Sequence, residues 1–212
     1  MARKVAASVL GVALAIGLAA AAGLPAAAET LRLVALGDSL THGYWLAQGD
    51  GFVPQLERWL AEQGADVEVV NMGVSGDTTT GARARLDWAL ADGADAVILE
   101  LGGNDLLRGI DPATSRANLD AMLDELARRE IPVLLAGLEA PLNYGPEYKE
   151  AFDSMYAELA EEHGTVFYPS FLEGIGPELM QPDGIHPDAE GVAEIVEAIG
   201  PSVLELLERA RS

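Results

Sequence analysis

Five short apolar runs, each separated from the next by a stretch of helical periodicity, constrain what this chain can become. The runs are predicted strands at 31–36, about 66–71, 94–101, 131–137 and 165–168. The run at 94–101 is apolar almost throughout, as expected of a strand covered on both faces. Between the runs, helices are predicted at 52–63, about 78–91, 147–162 and about 188–208, with another starting at Asp111-Pro112. Their apolar stripes recur at helical spacing, as in Val53, Leu56, Trp59 and Leu60. Gly64 should stop the first helix, and Asp111 and Pro112 form a cap and a first turn. Gly200-Pro201 is expected to kink or break the last helix. Strand and helix in strict alternation predict an α/β fold, a three-layer α/β/α sandwich around a parallel sheet of about five strands.

The first 28 residues stand outside this pattern. Arg3 and Lys4 precede an Ala-rich apolar run over 5–24, and Pro25-Ala26-Ala27-Ala28 ends in small residues. That layout predicts a secretory signal cleaved after Ala28. The alternative is a retained anchor, since the run approaches spanning length. Residues 29–212 then form a single domain, exported to the periplasm or the medium, with no later run long enough to insert stably in a membrane. The chain has no cysteine, so neither a lipid anchor nor a disulfide is available, and the core must hold the fold alone. Its net charge is −21, and loss of Arg3 and Lys4 would deepen the acidic excess. Such a surface excludes nucleic acid as a partner.

Right-handed crossovers bring the carboxyl ends of parallel strands to one edge. Those ends carry Gly37-Asp38-Ser39-Leu40, Gly73 to Asp77, Gly102-Gly103-Asn104-Asp105, and Asn143. Ser39 is the candidate nucleophile, and a serine needs a base. Of three histidines, His163 ends an acidic helix and reads as a surface residue, and His42 lies only three residues after Ser39. His186 lies in Asp183-Gly184-Ile185-His186-Pro187, where a turn would let Asp183 accept from one ring nitrogen while the other faces outward. The competing reading is that Asp183 and His186 cap the last helix. An oxyanion formed at Ser39 needs donors, and the Ser39 N–H, the Gly76 N–H and the Asn104 amide are candidates. Asp38 and Asp77 read as loop braces that accept backbone N–H bonds. No second acid completes a glycosidase pair, and no histidine or cysteine cluster suggests a metal.

Taken together, these four blocks resemble those of the SGNH (GDSL) hydrolases, over about 31–207. Leu-Gly-Gly-Asn-Asp and Asn-Tyr-Gly are similar to the exported bacterial arylesterase, thioesterase I and lysophospholipase group. The resemblance implies a flavodoxin-like fold. It also implies Ser39 as nucleophile, Gly76 and Asn104 as oxyanion donors, His186 as base and Asp183 as its orienter, with no metal and no organic cofactor. The implied partner is a small-molecule ester, thioester or lipid; the chain itself is expected to be a monomer.

Tyr44 and Trp45 follow the nucleophile, Leu106, Leu107 and Ile110 follow Asn104, and Leu142 lies in the next loop. They could line an acyl groove or be ordinary core. Two rival functions follow: a carbohydrate O-deacetylase on the same scaffold, favoured by an open polar and aromatic cleft, and a non-catalytic exported binding module.

Overall fold

The computed structural model describes residue 1 and residues 30–212; the predicted signal lies outside the described residues. From the first strand onward the elements run β1 (Leu31–Gly37), α1 (Ser39–His42), α2 (Phe52–Glu62), β2 (Val67–Gly73), α3 (Thr79–Ala84), α4 (Leu86–Ala89), β3 (Ala96–Glu100), α5 (Gly103–Leu107), α6 (Pro112–Arg128), β4 (Val133–Ala136), α7 (Pro146–His163), β5 (Val166–Tyr168) and α8 (Ala189–Ala210).

The five strands form one parallel sheet in the order β2-β1-β3-β4-β5. All five residues of β3, the central strand, are buried, because helices cover both faces. Packed α2 and α8 lie on one side; α3, α6 and α7 pack together on the other. The continuous apolar run is the sequence signature of that double coverage. Burying a side chain such as Ile98 or Leu99 stabilises the fold by about 1.5–3 kcal/mol. The strand order reverses between β1 and β3, and ligands of open α/β sheets bind outside the strand ends at such a switch point. Ser39 follows β1 and Asn104 follows β3, so both fall there.

Two helix expectations need correction. The helix predicted over 78–91 is two short ones, α3 and α4, broken at Arg85. Thr79, Thr80 and Gly81 are weak helix formers, and the Arg85 side chain reaches back to Asp77 and to the carbonyl of Gly37. The last helix, by contrast, is not broken at Gly200-Pro201, and α8 runs through both. Pro201 deprives the Glu197 carbonyl of its partner, but both residues are exposed, so water can take that bond. The buried stripe of Val192, Ile195, Val196, Ile199, Val203, Leu206 and Leu207 holds the helix against the sheet. Asp111 caps α6 as expected, accepting from Ala113 N at 2.9 Å.

Candidate active site

The turn out of β1 is as short as a turn can be. The Asp38 carboxylate accepts from Leu40 N at 3.0 Å and caps α1, a single turn closed by Gly43 at φ +85. Ser39 is therefore the first residue of a helical turn, and its N–H has no intrahelical partner. Gly73, which ends β2, lies beneath this turn. A Cβ there would sit 2.4 Å from His42 N and 2.9 Å from Asp38 O. Both are backbone atoms that cannot yield locally. Gly73→Ala should therefore destabilise the protein by roughly 1–3 kcal/mol and displace the turn that carries Ser39, which a urea melt and a kcat measurement would detect together.

Ser39 Oγ lies 2.8 Å from His186 Nε2, and His186 Nδ1 lies 2.6 Å from Asp183 Oδ2. With its proton on Nδ1, the imidazole donates to Asp183 and accepts from the serine hydroxyl. The other carboxylate oxygen of Asp183 accepts from the N–H groups of Ile185 and His186, at 3.0 and 3.1 Å. The loop is thus folded around one carboxylate. Neither residue caps the last helix: Asp188 does that, accepting from Glu190 N and Gly191 N. Partial burial pushes the Asp183 carboxyl up, but the His186 hydrogen bond, the two backbone N–H groups and the His186 charge outweigh it and hold it at about 2.

Gln181, which the sequence reading missed, anchors the loop. Its N–H donates to His186 O, and its side-chain amide donates to Tyr44 O and Pro187 O, each at 2.9 Å. Tyr44 packs against the His186 ring with centroids 4.7 Å apart, and Trp45 stacks on Tyr44 at 4.8 Å.

Asn104, near the start of α5, donates one amide N–H to Asp38 Oδ2 at 3.0 Å. The second amide N–H belongs to a side chain that borders the cleft beside Ser39. Asp105 is fully buried and accepts from Thr79 N, Thr79 Oγ1 and Ser115 Oγ, which ties the start of α5 to α3 and α6. Gly76 stands at φ +83 in a turn after β2, a conformation glycine adopts without strain. Among the described residues its N–H donates to no protein acceptor.

Beneath Ser39 lie two buried carboxyls. Glu100 is fully buried; burial, and then the charge of Asp38, push it well above its ordinary range. One oxygen accepts from Thr41 Oγ1 at 2.8 Å, and the other finds no partner in the protein. Burial raises Asp38 to about 6, against the lowering effect of its bonds from Leu40 and Asn104. The native state therefore binds the Asp38 proton before the unfolded chain does. Ionised Asp38 costs stability above about pH 6, and that cost fades as pH falls toward 4. Asp183 has the opposite sign: its contribution is present above about pH 4 and is lost toward pH 2. Urea midpoints should thus rise from pH 7 to 5 in the wild type relative to Asp38→Asn, and fall in both by pH 3. Equal changes from pH 7 to 5 in the two proteins would count against a destabilising Asp38.

A cleft of about 120 Å³ opens beside Ser39 and His186, walled by Leu40, Leu106, Leu107, Leu138, Leu172 and Ile185. Of the residues expected to contact substrate, Leu106 and Leu107 line it. Tyr44 packs on His186 and Trp45 stacks on Tyr44, but neither lines this cleft, and nor do Ile110 and Leu142. Ile110 O accepts from Tyr148 Oη, and Leu142 is exposed to solvent. The other two histidines stand apart from Ser39. His42 Nδ1 is 3.2 Å from Gly73 O. His163 ends α7 as expected and is half-buried there, with Nε2 2.7 Å from Asp120 Oδ1. Asp77 braces its loop through Arg85, at 2.7 Å, instead of through the expected backbone N–H.

Residues 35–193 match the GDSL-like lipase/acylhydrolase family. The chain belongs to that family. It is 43% identical to esterase TesA of Pseudomonas aeruginosa over 184 residues, covering 85% of this chain and 90% of that protein. It is 37% identical to thioesterase 1/protease 1/lysophospholipase L1 of Escherichia coli strain K12, over 77% of this chain and 78% of that one. A crystal structure of TesA superposes with a TM-score of 0.78 at 40% identity, covering 82% of this chain and 99% of that chain. All four sequence blocks fall inside the stretch matched by the GDSL-like family. The fold, a flavodoxin-like parallel sheet flanked by helices, agrees with that membership.

Proposed function

We propose that this acyl hydrolase cleaves carboxylic esters and thioesters through an acyl-enzyme on Ser39. The observation that carries the reading is the unbroken line from Ser39 Oγ through His186 to Asp183, at 2.8 and 2.6 Å. His186 takes the hydroxyl proton as Ser39 attacks the carbonyl, and then gives it to the departing alcohol or thiol. Asp183 holds the tautomer and stabilises the imidazolium. The negative oxygen is met by the N–H groups of Ser39 and Gly76 and by the Asn104 amide. Asp38 engages the other N–H of that amide, which orients it. Water activated by His186 then frees the acid.

The aliphatic lining of the cleft supports acyl substrates, aryl or alkyl esters and lysophospholipids over the acetylated sugars of a deacetylase, which call for an open polar wall. We place the working enzyme outside the cytoplasm, as the Ala-rich leader suggests. No helix among the described residues is long and apolar enough to cross a membrane. The test is hydrolysis of p-nitrophenyl esters from acetyl to palmitoyl, with stoichiometric labelling by an organophosphonate ester mapped by peptide mass. Activity that extends beyond acetyl, with the label on Ser39, supports the reading. Acetyl-only activity would point to the deacetylase, and an unlabelled Ser39 to the binding module.

A further inference from the structure

The turn that carries Gly76 is held by two arginines that lie outside all four motif blocks. Asp77 N donates to Val74 O at 3.0 Å and closes a four-residue turn. Gly76, its third residue, has the positive φ that a type II turn requires. Reversing the Ser75–Gly76 peptide would convert such a turn to type I and carry the Gly76 N–H to the opposite side. The turn is solvent-exposed at Val74, Ser75 and Gly76, so packing alone does not choose between the two.

Arg108, just past α5, donates from Nη2 to Gly76 O at 2.7 Å. Arg85, at the break between α3 and α4, donates from Nε to Asp77 Oδ2 at 2.7 Å and from Nη2 to Gly37 O at 3.1 Å. Gly37 lies two residues before Ser39. The Arg85 guanidinium thus joins the two segments that must keep register, the strand end bearing the nucleophile and the turn bearing Gly76. The Arg85–Asp77 pair is mostly shielded, with side chains 17% and 10% exposed, and Arg85 Nη1 is buried without a partner. Burying an ion pair contributes little to stability when one of its donors is left unmet. Its clearer product is geometry.

We propose that Arg85 and Arg108 are positioning residues that lock the Val74–Asp77 turn, so that the Gly76 N–H faces the oxyanion formed at Ser39. This rests on the assignment of Gly76 as an oxyanion donor. Neither arginine touches the reacting atoms; Arg108 acts through the Gly76 carbonyl, and Arg85 through the Asp77 carboxylate and the Gly37 carbonyl. Arg108 is exposed, so Arg108→Met leaves the core intact and is the decisive variant; Arg85→Met is the partly buried companion.

The experiment compares the full-length wild type with Arg108→Met, Arg108→Lys, Arg85→Met and Asn104→Ala, using p-nitrophenyl butyrate as substrate. Affinity for an alkyl trifluoromethyl ketone, whose serine adduct places an oxyanion in the hole, is measured beside affinity for butyrate. Asn104→Ala, which removes a donor outright, should lower kcat about a hundred- to a thousandfold. Arg108→Met, which only loosens one, should lower kcat about tenfold with KM held within about twofold. Ketone affinity should fall by the same factor as kcat while butyrate affinity stays unchanged, and Arg108→Lys should recover part of the loss. A loss of that pattern in Arg85→Met as well would assign both arginines. If Asn104→Ala behaves as stated but Arg108→Met keeps its kcat, or loses kcat without the matching loss of ketone affinity, the arginine clamp is overturned while Asn104 stands as an oxyanion donor. If Asn104→Ala also leaves ketone affinity unchanged, the oxyanion assignment itself fails.

Discussion

Ser39→Ala is expected to lower ester hydrolysis by on the order of 10⁵-fold while leaving the fold intact. The size follows from what the hydroxyl does. On the proposed mechanism it is the atom that becomes acylated, and of the groups lining the cleft it alone is a hydroxyl with an imidazole nitrogen 2.8 Å away. The residual rate would come from the oxyanion donors and from substrate binding. His186→Ala should cost about as much, and the double variant little more, because the two side chains act as one unit joined by a 2.8 Å contact. Thermal unfolding should barely move, since Ser39 is only partly buried and its hydroxyl contact is to His186. The decisive measurement is a single-turnover assay with p-nitrophenyl butyrate. A stoichiometric burst surviving in Ser39→Ala would mean that another nucleophile is acylated.

Asp183→Asn should be the next most damaging change, lowering kcat by about a thousandfold. The substitution keeps the shape of the loop, because an amide oxygen can still accept from Ile185 N and His186 N as Oδ1 does at 3.0 and 3.1 Å. What it loses is the acceptor facing His186 Nδ1. An amide N–H placed there favours the tautomer with the proton on Nε2, which cannot take the proton of Ser39. It also removes the negative charge that steadies the imidazolium during attack. Asp183 is not deeply buried, so water can replace part of this support, and the loss should fall short of that in Ser39→Ala. The check is kcat and KM for the same ester: KM should hold while kcat falls. A fall of less than about tenfold would reduce Asp183 to a loop brace.

Much of this was legible because the informative residues are local. Asp183 and His186 share one five-residue block, so their pairing follows from a single turn. Ser39, Gly76 and Asn104 each follow an apolar run, and parallel strands must deliver such ends to one edge. The cleft wall was less legible. Leu40, Leu138, Leu172 and Ile185 come from four separate segments, and a leucine beside a cleft has the same local pattern as a leucine in the core. Tyr44, Trp45, Ile110 and Leu142 matched the expected pattern and do not line the cleft. Gln181, Arg85 and Arg108 escaped notice because isolated polar residues outside any motif have no periodic signal. Ile185 was the exception with a usable clue, since it directly precedes His186.

The amino-acid sequence by itself determined the layered α/β architecture, the edge of the sheet where the chemistry lies and the serine–histidine–aspartate set. Hydrophobic periodicity, turn residues and right-handed crossovers are all properties of short stretches and of chain chirality. Only the tertiary structure decided which contacts run between those stretches. It put Arg85 across Gly37 and Asp77, set the Tyr44 ring against His186, buried Asp38 and Glu100 together near Ser39, and kept α8 whole through Pro201. Each of these depends on distances between residues remote in sequence, and on whether water can reach a particular polar atom. Those two quantities do not exist until the chain has packed.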